Sequence, residues 1–380
     1  MKRYPSIDTL QRALGEGAFA YAVDRKKAAG RALGTFVELM SFYLLKSWGF
    51  ERNMAIERGL PEFANPGISH NVEFTFHRSR RIASLPLDGR LPVTAKKLAA
   101  LLPDDLLRGA RATGQRLLSS DGTVKNACTI AESGDGFFNA YVGRSRGAKS
   151  RTADICELQA HPFAMVECKR VGVEDGQRKG PQTIEKAKQG AYVARTVSSL
   201  QRVRLKDGSL GGFAEKADGS FVCGDYYSLL REVISGRHPS LASGLTLTIG
   251  IVSNHGNWFT SENRNKELEV LAQSYDWLLF LSDEGLARFI DEVIFSEGNP
   301  LPASREAFKA SYGRDKTANR FTKSRIDASA DGELTRYFTR RHREIAGWFN
   351  LISPAGGSVD ELKAQLSSLA SAGSEAGGAT

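Results

Sequence analysis

The chain has 380 residues, 41% of them hydrophobic and 25% charged, a composition typical of a globular protein with one large domain or two. Its net charge of +9 favours a polyanionic partner, although many proteins without one have a similar basic excess. Four cysteines without a CxxC motif exclude a cysteine-rich metal site and predict reduced thiols. No run approaches the ~20 apolar residues of a membrane span and no signal peptide begins the chain, so we expect a soluble, cytoplasmic protein without membrane contact.

The first two predicted helices differ in polarity. A serine begins a helix of mixed character over residues 6–29. A second helix, over residues 32–48, is strongly apolar and must be largely buried. Glu38 is conspicuous in it, because burying an isolated carboxylate is costly unless it is paired or bound to a metal. The alternative is a position at the helix rim in water, or an ion pair with Arg31 or Lys46.

The pattern changes between these helices and the middle of the chain. Residues 71–77 alternate apolar and polar side chains, which predicts a half-buried strand. Residues 91–118 are predicted to be helical, with a break at Pro103. A basic loop at residues 143–151 lies just before Asp154, where it could touch a phosphate backbone; without neighbouring acids it would be a solvated loop. The candidate DNA contacts in this loop are Arg144, Arg146 and Lys149.

Residues 154–169 are the stretch around which the chain is organised. Two segments that suit strands flank a central Ala-His-Pro, and proline is disfavoured inside a paired strand, so a turn is predicted there. Folding at that turn places Asp154 opposite Glu167, with Lys169 on the same face as Glu167. Two carboxylates and an ammonium would then converge at one end of a hairpin. On spacing alone, an amphipathic hairpin with a surface ion pair is an equally good interpretation.

Paired carboxylates repel each other unless a cation holds them, and Mg²⁺ suits them because it prefers oxygen ligands and also binds phosphate. The pattern of Asp154, a spacer and then Glu167-x-Lys169 resembles the PD-(D/E)xK nuclease superfamily. The resemblance implies that the two carboxylates bind the metal and that the lysine lies near the scissile phosphate. Ala153 stands where the signature has proline, which many members also lack. Glu157 is a rival for the first acid, but it would share a face with Asp154 only through a bulge, so Asp154 is preferred.

A helix is predicted to follow the hairpin. Residues 183–200 place small side chains on one face, which would let the helix pack closely on a sheet. In the superfamily a helix follows the catalytic strand, and some members carry a glutamine and a tyrosine on it. Gln189 and Tyr192 match that pair faintly, and a polar residue beside a packed aromatic is the simpler interpretation. Lys179 and Lys186 place positive charge beside the predicted site.

The C-terminal part of the chain contains two more predicted strands and a basic region. Residues 245–253 and 277–281 suit buried strands, and a helix is predicted over residues 282–295. Residues 305–343 are rich in Lys and Arg with interleaved aromatic side chains, which suits contact with a phosphate backbone. A solvated helical layer is an equally good interpretation of this region. The candidate DNA contacts in it are Arg314, Lys316 and Arg320.

The resemblance implies an α/β fold with a restriction-endonuclease-like core, that is, a mixed central sheet flanked by helices, with helical N- and C-terminal additions. We predict a single nuclease domain over residues 1–355, with its catalytic core at about 140–295 and a basic helical region at about 300–350. Residues 356–380 are predicted to form a polar tail that is disordered at its end.

No helicase, methyltransferase or ATPase motif accompanies the nuclease pattern. The resemblance therefore implies a Mg²⁺-dependent type II restriction endonuclease that cuts double-stranded DNA at a specific sequence, and a homodimer is one option for its assembly. Glu38 would be a further metal ligand, since many of these nucleases carry a glutamate on an early helix. The alternatives are a DNA repair or structure-specific nuclease, and a DNA-binding protein whose hairpin has no catalytic role.

Overall fold

The structure, a computed structural model, describes residues 7–63, 65–103, 105–107, 109–143, 151–172, 181–255, 266–296, 298–314 and 318–372. Residues 7, 171–172, 181–187, 254–255 and 267 are described by their backbone only. None of the described helices is long and apolar enough to cross a membrane.

The described helices are α1 (Ile7–Glu16), α2 (Arg25–Ser47), α3 (Ala95–Ala99), α4 (Pro181–Val197), α5 (Tyr226–Ile234), α6 (Pro239–Ala242), α7 (Lys266–Ala272), α8 (Asp283–Ile290), α9 (Pro302–Tyr312), α10 (Ala328–Arg340), α11 (His342–Ala346) and α12 (Val359–Ser371). The described strands are β1 (Met54–Ile56), β2 (Gly59–Glu62), β3 (Asn65–Asn71), β4 (Phe74–Leu87), β5 (Val93–Thr94), β6 (Arg111–Ala112), β7 (Arg116–Leu118), β8 (Thr123–Lys125), β9 (Cys128–Glu132), β10 (Gly136–Gly143), β11 (Arg151–Gly172), β12 (Gln201–Arg204), β13 (Leu210–Glu215), β14 (Phe221–Asp225), β15 (Leu247–His255), β16 (Trp277–Leu281), β17 (Arg325–Asp327) and β18 (Phe349–Ser353).

One strand, β11, organises the central sheet. It is 22 residues long and pairs along one edge with β4, which runs antiparallel to it. Along its other edge it pairs first with β10, antiparallel, and then with β15, parallel. The sheet continues from β15 through the parallel β16 to the antiparallel β18, so it is mixed. A mixed central sheet flanked by helices confirms the predicted α/β class.

The predicted hairpin turn is wrong, because β11 runs straight through residues 160–162. Pro162 pairs with His77, and the register between β11 and β4 shifts on both sides of this pair. Proline lacks the N–H that a regular ladder uses, but an irregular, bulged register accommodates it without reversing the chain. The predicted pairing of Asp154 with Glu167 fails with the turn, since both residues lie on the same strand.

Helices cover both faces of β11. On one face, Val166 and Cys168 lie in the main hydrophobic core with the buried apolar side chains of α2. On the other face, Met165 packs against α4, and Gly190 lets the helix approach closely: a Cβ there would lie 2.9 Å from the Met165 Cε. Because strand side chains alternate, Glu167 points to the same face as Met165 and meets α4.

Several predicted elements exist with different ends. The first helix ends at Glu16, and α2 begins after Asp24, whose side chain accepts a hydrogen bond from the Lys27 N–H. β16 has the predicted bounds. The helix predicted over residues 91–118 is wrong, because α3 is the only helix in the described parts of that range, 91–103, 105–107 and 109–118. The flanking segments are strands, because β7 pairs with β5 and β8 in a small separate sheet, and this pairing overrides local propensity.

The C-terminal region is helical as predicted, but the predicted polar tail is wrong for most of its length. Leu362, Leu366 and Leu369 follow helical spacing in α12 and are buried in the main core. Trp277 Nε1 also donates a hydrogen bond of 3.0 Å to Gln365 on this helix. α12 therefore belongs to the fold, whereas residues 373–380 lie outside the described part of the chain.

Candidate functional site at the start of β4

Asp154, the predicted first metal ligand, belongs to a structural ion pair. Ser84, its register partner on β4, donates a hydrogen bond of 2.7 Å to Oδ1, and Arg52 donates one of 2.5 Å to Oδ2. Asp154 is buried at 5% exposure. Glu167 lies thirteen positions further along β11, about 40 Å of strand at ~3.3 Å per residue. One metal ion cannot bridge that length, so Asp154 does not complete a site with Glu167.

Glu167 and Lys169 lie side by side on one face of β11, as predicted. Lys169 Nζ is 2.5 Å from Glu167 Oε1, and the acid is 1% exposed whereas the lysine is 35% exposed. Burial raises the pKa of Glu167, while the charges of Lys169 and His70 oppose the rise. The burial comes from α4, since a Cβ on Gly190 would lie 3.1 Å from the Glu167 Cβ and Cγ. Glu167 therefore lies at the buried end of a candidate site, and the Lys169 ammonium lies at its solvent-exposed edge.

A second acid, Glu73, reaches Glu167 from the residue directly before β4. The strands pair Phe74 with Val166, so the antiparallel register continues to Glu73 opposite Glu167. The Glu73 N–H donates a hydrogen bond of 3.3 Å to Glu167 Oε2. The alternation over residues 71–77 placed Glu73 on a polar strand face, but its partner lies 94 residues later. Sequence reasoning missed this acid because only the tertiary register joins the two.

Glu73 also belongs to a group of acids around a buried lysine, Lys323. The Lys323 ammonium contacts the Glu73 carboxylate and lies 3.1 Å from Glu38 Oε2 and 3.3 Å from Glu57 Oε1. Its side chain is 5% exposed. In the sequence, Lys323 is one base among many in the basic region of residues 305–343. Its burial among acids could not be inferred from that pattern.

Glu38, the conspicuous acid of α2, does lie beside this group. Its side chain is 30% exposed and pairs with Lys323, whereas Lys46, one of the predicted partners, pairs with Asp331 at 3.0 Å. Burial raises the pKa of the Cys168 thiol on β11, and the charge of Glu38 adds to the rise. Glu38 is therefore neither isolated in the core nor paired with Lys46.

We define the acidic site as Glu38, Glu57, Glu73, Glu167, Lys169 and Lys323. Among the residues that the structure describes, no group of three or more His, Cys, Asp or Glu side chains is arranged to hold a metal ion by itself. Mg²⁺ does not require such a cage, since one or two carboxylates usually bind it while waters and substrate phosphates complete its shell. Glu73 and Glu167 are the candidates for such a pair, because the Glu73 backbone N–H contacts the Glu167 carboxylate. Their carboxylate oxygens are donors of the type that Mg²⁺ prefers.

The candidate DNA contacts are only partly covered by the structure. Arg144, Arg146, Lys149, Lys179 and Lys316 lie outside the described residues, and so does the side chain of Lys186. Arg314 is exposed at the end of α9. Arg320 instead pairs with Asp121 at 2.6 Å and with Asp327 at 3.6 Å. These pairs favour the interpretation of a helical layer without DNA contact for Arg320, because the guanidinium is already engaged by two carboxylates of the same chain.

The remaining candidates lie away from Glu167 or on its outer rim. Glu157, the rival for the first acid, is exposed and pairs with Arg80 at 2.8 Å. Gln189 is exposed on α4. Tyr192 is 52% exposed, and its ring centroid lies 5.0 Å from that of Phe63. The simpler interpretation of Gln189 and Tyr192, a polar residue and a packed aromatic, agrees with these positions.

Comparison of the chain with protein-family models, with curated proteins and with solved structures found no match in any of the three. The function has to be argued from the acidic site.

Proposed function

We propose that the protein is a Mg²⁺-dependent nuclease whose catalytic centre is the acidic site. The observation that carries the proposal is the position of Glu73, whose N–H binds the Glu167 carboxylate across the register of β4 and β11. An acid at the start of one strand is thereby combined with Glu167-x-Lys169 on its neighbour. The PD-(D/E)xK resemblance implies such a combination with Asp154 as the first acid, and we propose that Glu73, a glutamate directly before β4, takes that place.

The carboxylates of Glu73 and Glu167 would hold the ion. Glu167 is buried and fixed by Lys169 and by the Glu73 backbone, so its orientation is set before the ion arrives. In Glu73, Oε2 contacts Lys323, which leaves Oε1 for the metal. Glu38 would contact the ion or one of its waters from α2. Bound Mg²⁺ would supply polarisation of the scissile phosphate and acidify the attacking water.

Lys169 is the second functional group of the proposed centre. Its ammonium is 35% exposed and adjoins the buried Glu167, so it faces the side from which a phosphate would arrive. In that position it would orient the attacking water or stabilise the charge that develops on the phosphate. The charge of Lys169 also opposes the rise in the pKa of Glu167 that burial causes, and so favours the carboxylate form that a metal ion requires.

We propose double-stranded DNA as the substrate and a type II restriction endonuclease as the finer function. The support is the net charge of +9 together with the basic residues of the segment 143–151, which precedes Asp154 in the sequence. The proposed enzyme would act in the cytoplasm, either as a monomer or as a homodimer.

Incubation of the pure protein with supercoiled plasmid and Mg²⁺ tests the proposal. Discrete bands indicate a site-specific endonuclease, and nicking at random positions indicates a repair or structure-specific enzyme. Glu73→Gln and Glu167→Gln should abolish cleavage while DNA binding in Ca²⁺ is retained, because Ca²⁺ accepts looser geometry. Asp154→Asn is the matched control: it makes the same carboxylate-to-amide change outside the acidic site and should still cut. Failure of the wild-type protein to cut with Mg²⁺ or Mn²⁺ would refute the nuclease proposal and favour a DNA-binding protein.

A further inference from the structure

Lys323 is surrounded by acids instead of solvent. Its ammonium contacts Glu73 and lies within 3.3 Å of Glu38 and Glu57, with the side chain 5% exposed. The acids come from three separate segments: Glu38 from α2, Glu57 from directly after β1, and Glu73 from directly before β4. A buried ammonium is costly unless it is paired, and here three carboxylates compensate for its lost hydration.

The backbone holds Lys323 in this position. Its carbonyl accepts a hydrogen bond of 2.8 Å from Asn126 Nδ2, and the Asn126 N–H donates to the carbonyl of Ser324 over 3.0 Å. The Thr322 N–H donates to the Arg325 carbonyl over 2.8 Å and closes a tight turn around the lysine. The ammonium is therefore a built-in part of the acidic site and does not arrive there from a loose surface side chain.

The charges of the acidic site show what the lysine does. When all groups are ionised, the carboxylates of Glu38, Glu57, Glu73 and Glu167 exceed the ammonium groups of Lys169 and Lys323 by two charges. One divalent cation neutralises that excess. Without the Lys323 charge, three carboxylates would converge with no cation among them, and converging carboxylate oxygens are what a hard divalent ion binds.

Building on the proposed nuclease function, we infer that Lys323 takes the place of a second divalent cation and limits the acidic site to one metal ion. The ammonium offsets part of the negative charge of Glu38 and Glu57 and holds one oxygen of Glu73. The single ion would then be held by the carboxylates of Glu73 and Glu167, near Lys169. Lys323 is a positioning residue, since it acts on the metal through these acids and does not touch the substrate.

Counting bound Mn²⁺ tests this inference. Free Mn²⁺ gives a sharp electron paramagnetic resonance signal that is lost on binding, so a titration gives the number of ions per chain. We expect one ion for the wild-type chain and two for Lys323→Met, which removes the charge but keeps most of the apolar stem. Lys323→Arg restores the charge and should bind one. Lys309→Met is the matched control, because Lys309 pairs with Glu306 on the exposed face of α9 and should leave the count at one.

The outcomes separate this inference from the nuclease proposal, provided that plasmid cleavage in Mn²⁺ is measured on the same samples. Two ions in a wild-type chain that cuts DNA, or one ion in folded Lys323→Met, would overturn the inference alone. A wild-type chain that binds no Mn²⁺ and does not cut would overturn both. If Lys323→Met does not fold, Lys323→Gln keeps polar contacts with the acids without the charge, and the same expectation of two ions applies to it.

Discussion

Replacement of Asp154 by alanine distinguishes a structural acid from a catalytic one. In the folded chain the Asp154 carboxylate accepts hydrogen bonds from Arg52 at 2.5 Å and from Ser84 at 2.7 Å, and the residue is 5% exposed. Alanine removes both acceptors while leaving β11 and its neighbours able to pair. The serine hydroxyl and one edge of the guanidinium would then lack their partners.

The expected loss of stability follows from how exposed each partner is. Removing one member of a fully buried ion pair costs about 3–5 kcal/mol. The Arg52 side chain, however, is 48% exposed, so water can solvate its freed guanidinium and the contribution of that pair falls to about 1 kcal/mol or less. The lost hydrogen bond with Ser84 adds about 1–2 kcal/mol, because the hydroxyl is left partly buried. We expect Asp154→Ala to lower the free energy of unfolding by about 1–3 kcal/mol in total.

The assay combines denaturant unfolding with plasmid cleavage, measured at a temperature where the variant is folded. We expect the unfolding midpoint to fall, with an unchanged dependence on denaturant, and the cleavage rate per folded molecule to stay at the wild-type value. Glu73→Ala should instead lose cleavage even in the molecules that are folded. A variant Asp154→Ala that keeps wild-type stability but cannot cut would refute the reasoning and return Asp154 to the catalytic centre.

Three further predictions follow from the acidic site and the basic region. Glu38→Gln should reduce cleavage severely while leaving the unfolding midpoint nearly unchanged, since the Glu38 side chain is 30% exposed. Equal losses of cleavage and of stability would contradict a role of Glu38 at the metal ion. Because the pKa of Glu167 is raised above 4.5, the folded chain keeps this proton to higher pH than the unfolded chain, and stability without metal should fall as pH rises through that window. Mg²⁺ binds the carboxylate form of Glu167 and not the protonated form. At pH values below the raised pKa, the affinity of the chain for Mg²⁺, measured by calorimetry, should therefore increase about tenfold for each unit of rising pH, and Glu167→Gln should lose this dependence. In Ca²⁺, Arg314→Gln should reduce the slope of log K for DNA binding against log[salt] by about 0.9 if Arg314 contacts a phosphate. Arg320 is already paired with acids, so Arg320→Gln should leave this slope unchanged and lower the free energy of unfolding.

The sequence predicts those elements whose signal is local. β16 is an uninterrupted apolar run, and its bounds follow from that run alone. The continuity of β11 through Pro162 could not be predicted, because the bulged register that accommodates the proline belongs to its pairing with β4. Residues 91–118 show the same limit, since their strands depend on partners that composition does not reveal.

For the acidic site, too, the residues with a local sequence signal could be predicted and those that depend on tertiary contacts could not. Glu38 could be found because a lone carboxylate on an apolar helix violates a local rule, and Glu167-x-Lys169 could be found because alternation within one strand fixes a shared face. Glu73 and Lys323 could not, since their contact joins residues 250 positions apart. The predicted pairing of Asp154 with Glu167 failed for the same reason: it rested on a turn at Pro162, whereas the residue opposite Glu167 is Glu73, directly before β4 and much earlier in the chain.

The excess of acid over base at the site has a thermodynamic consequence. Glu167 is buried at 1% exposure beside Lys169, and stability alone does not require such a pair, because replacing a buried ion pair with apolar side chains is often neutral or stabilising. When all its groups are ionised, the acidic site also carries an excess of two negative charges, whose repulsion a divalent cation would relieve. Binding of that cation should stabilise the fold by about 2.7 kcal/mol at a concentration one hundred times its dissociation constant. The electrostatic cost carried by the metal-free chain therefore becomes a gain when the ion binds, which is what we expect of a centre built for a metal and not for a surface ion pair.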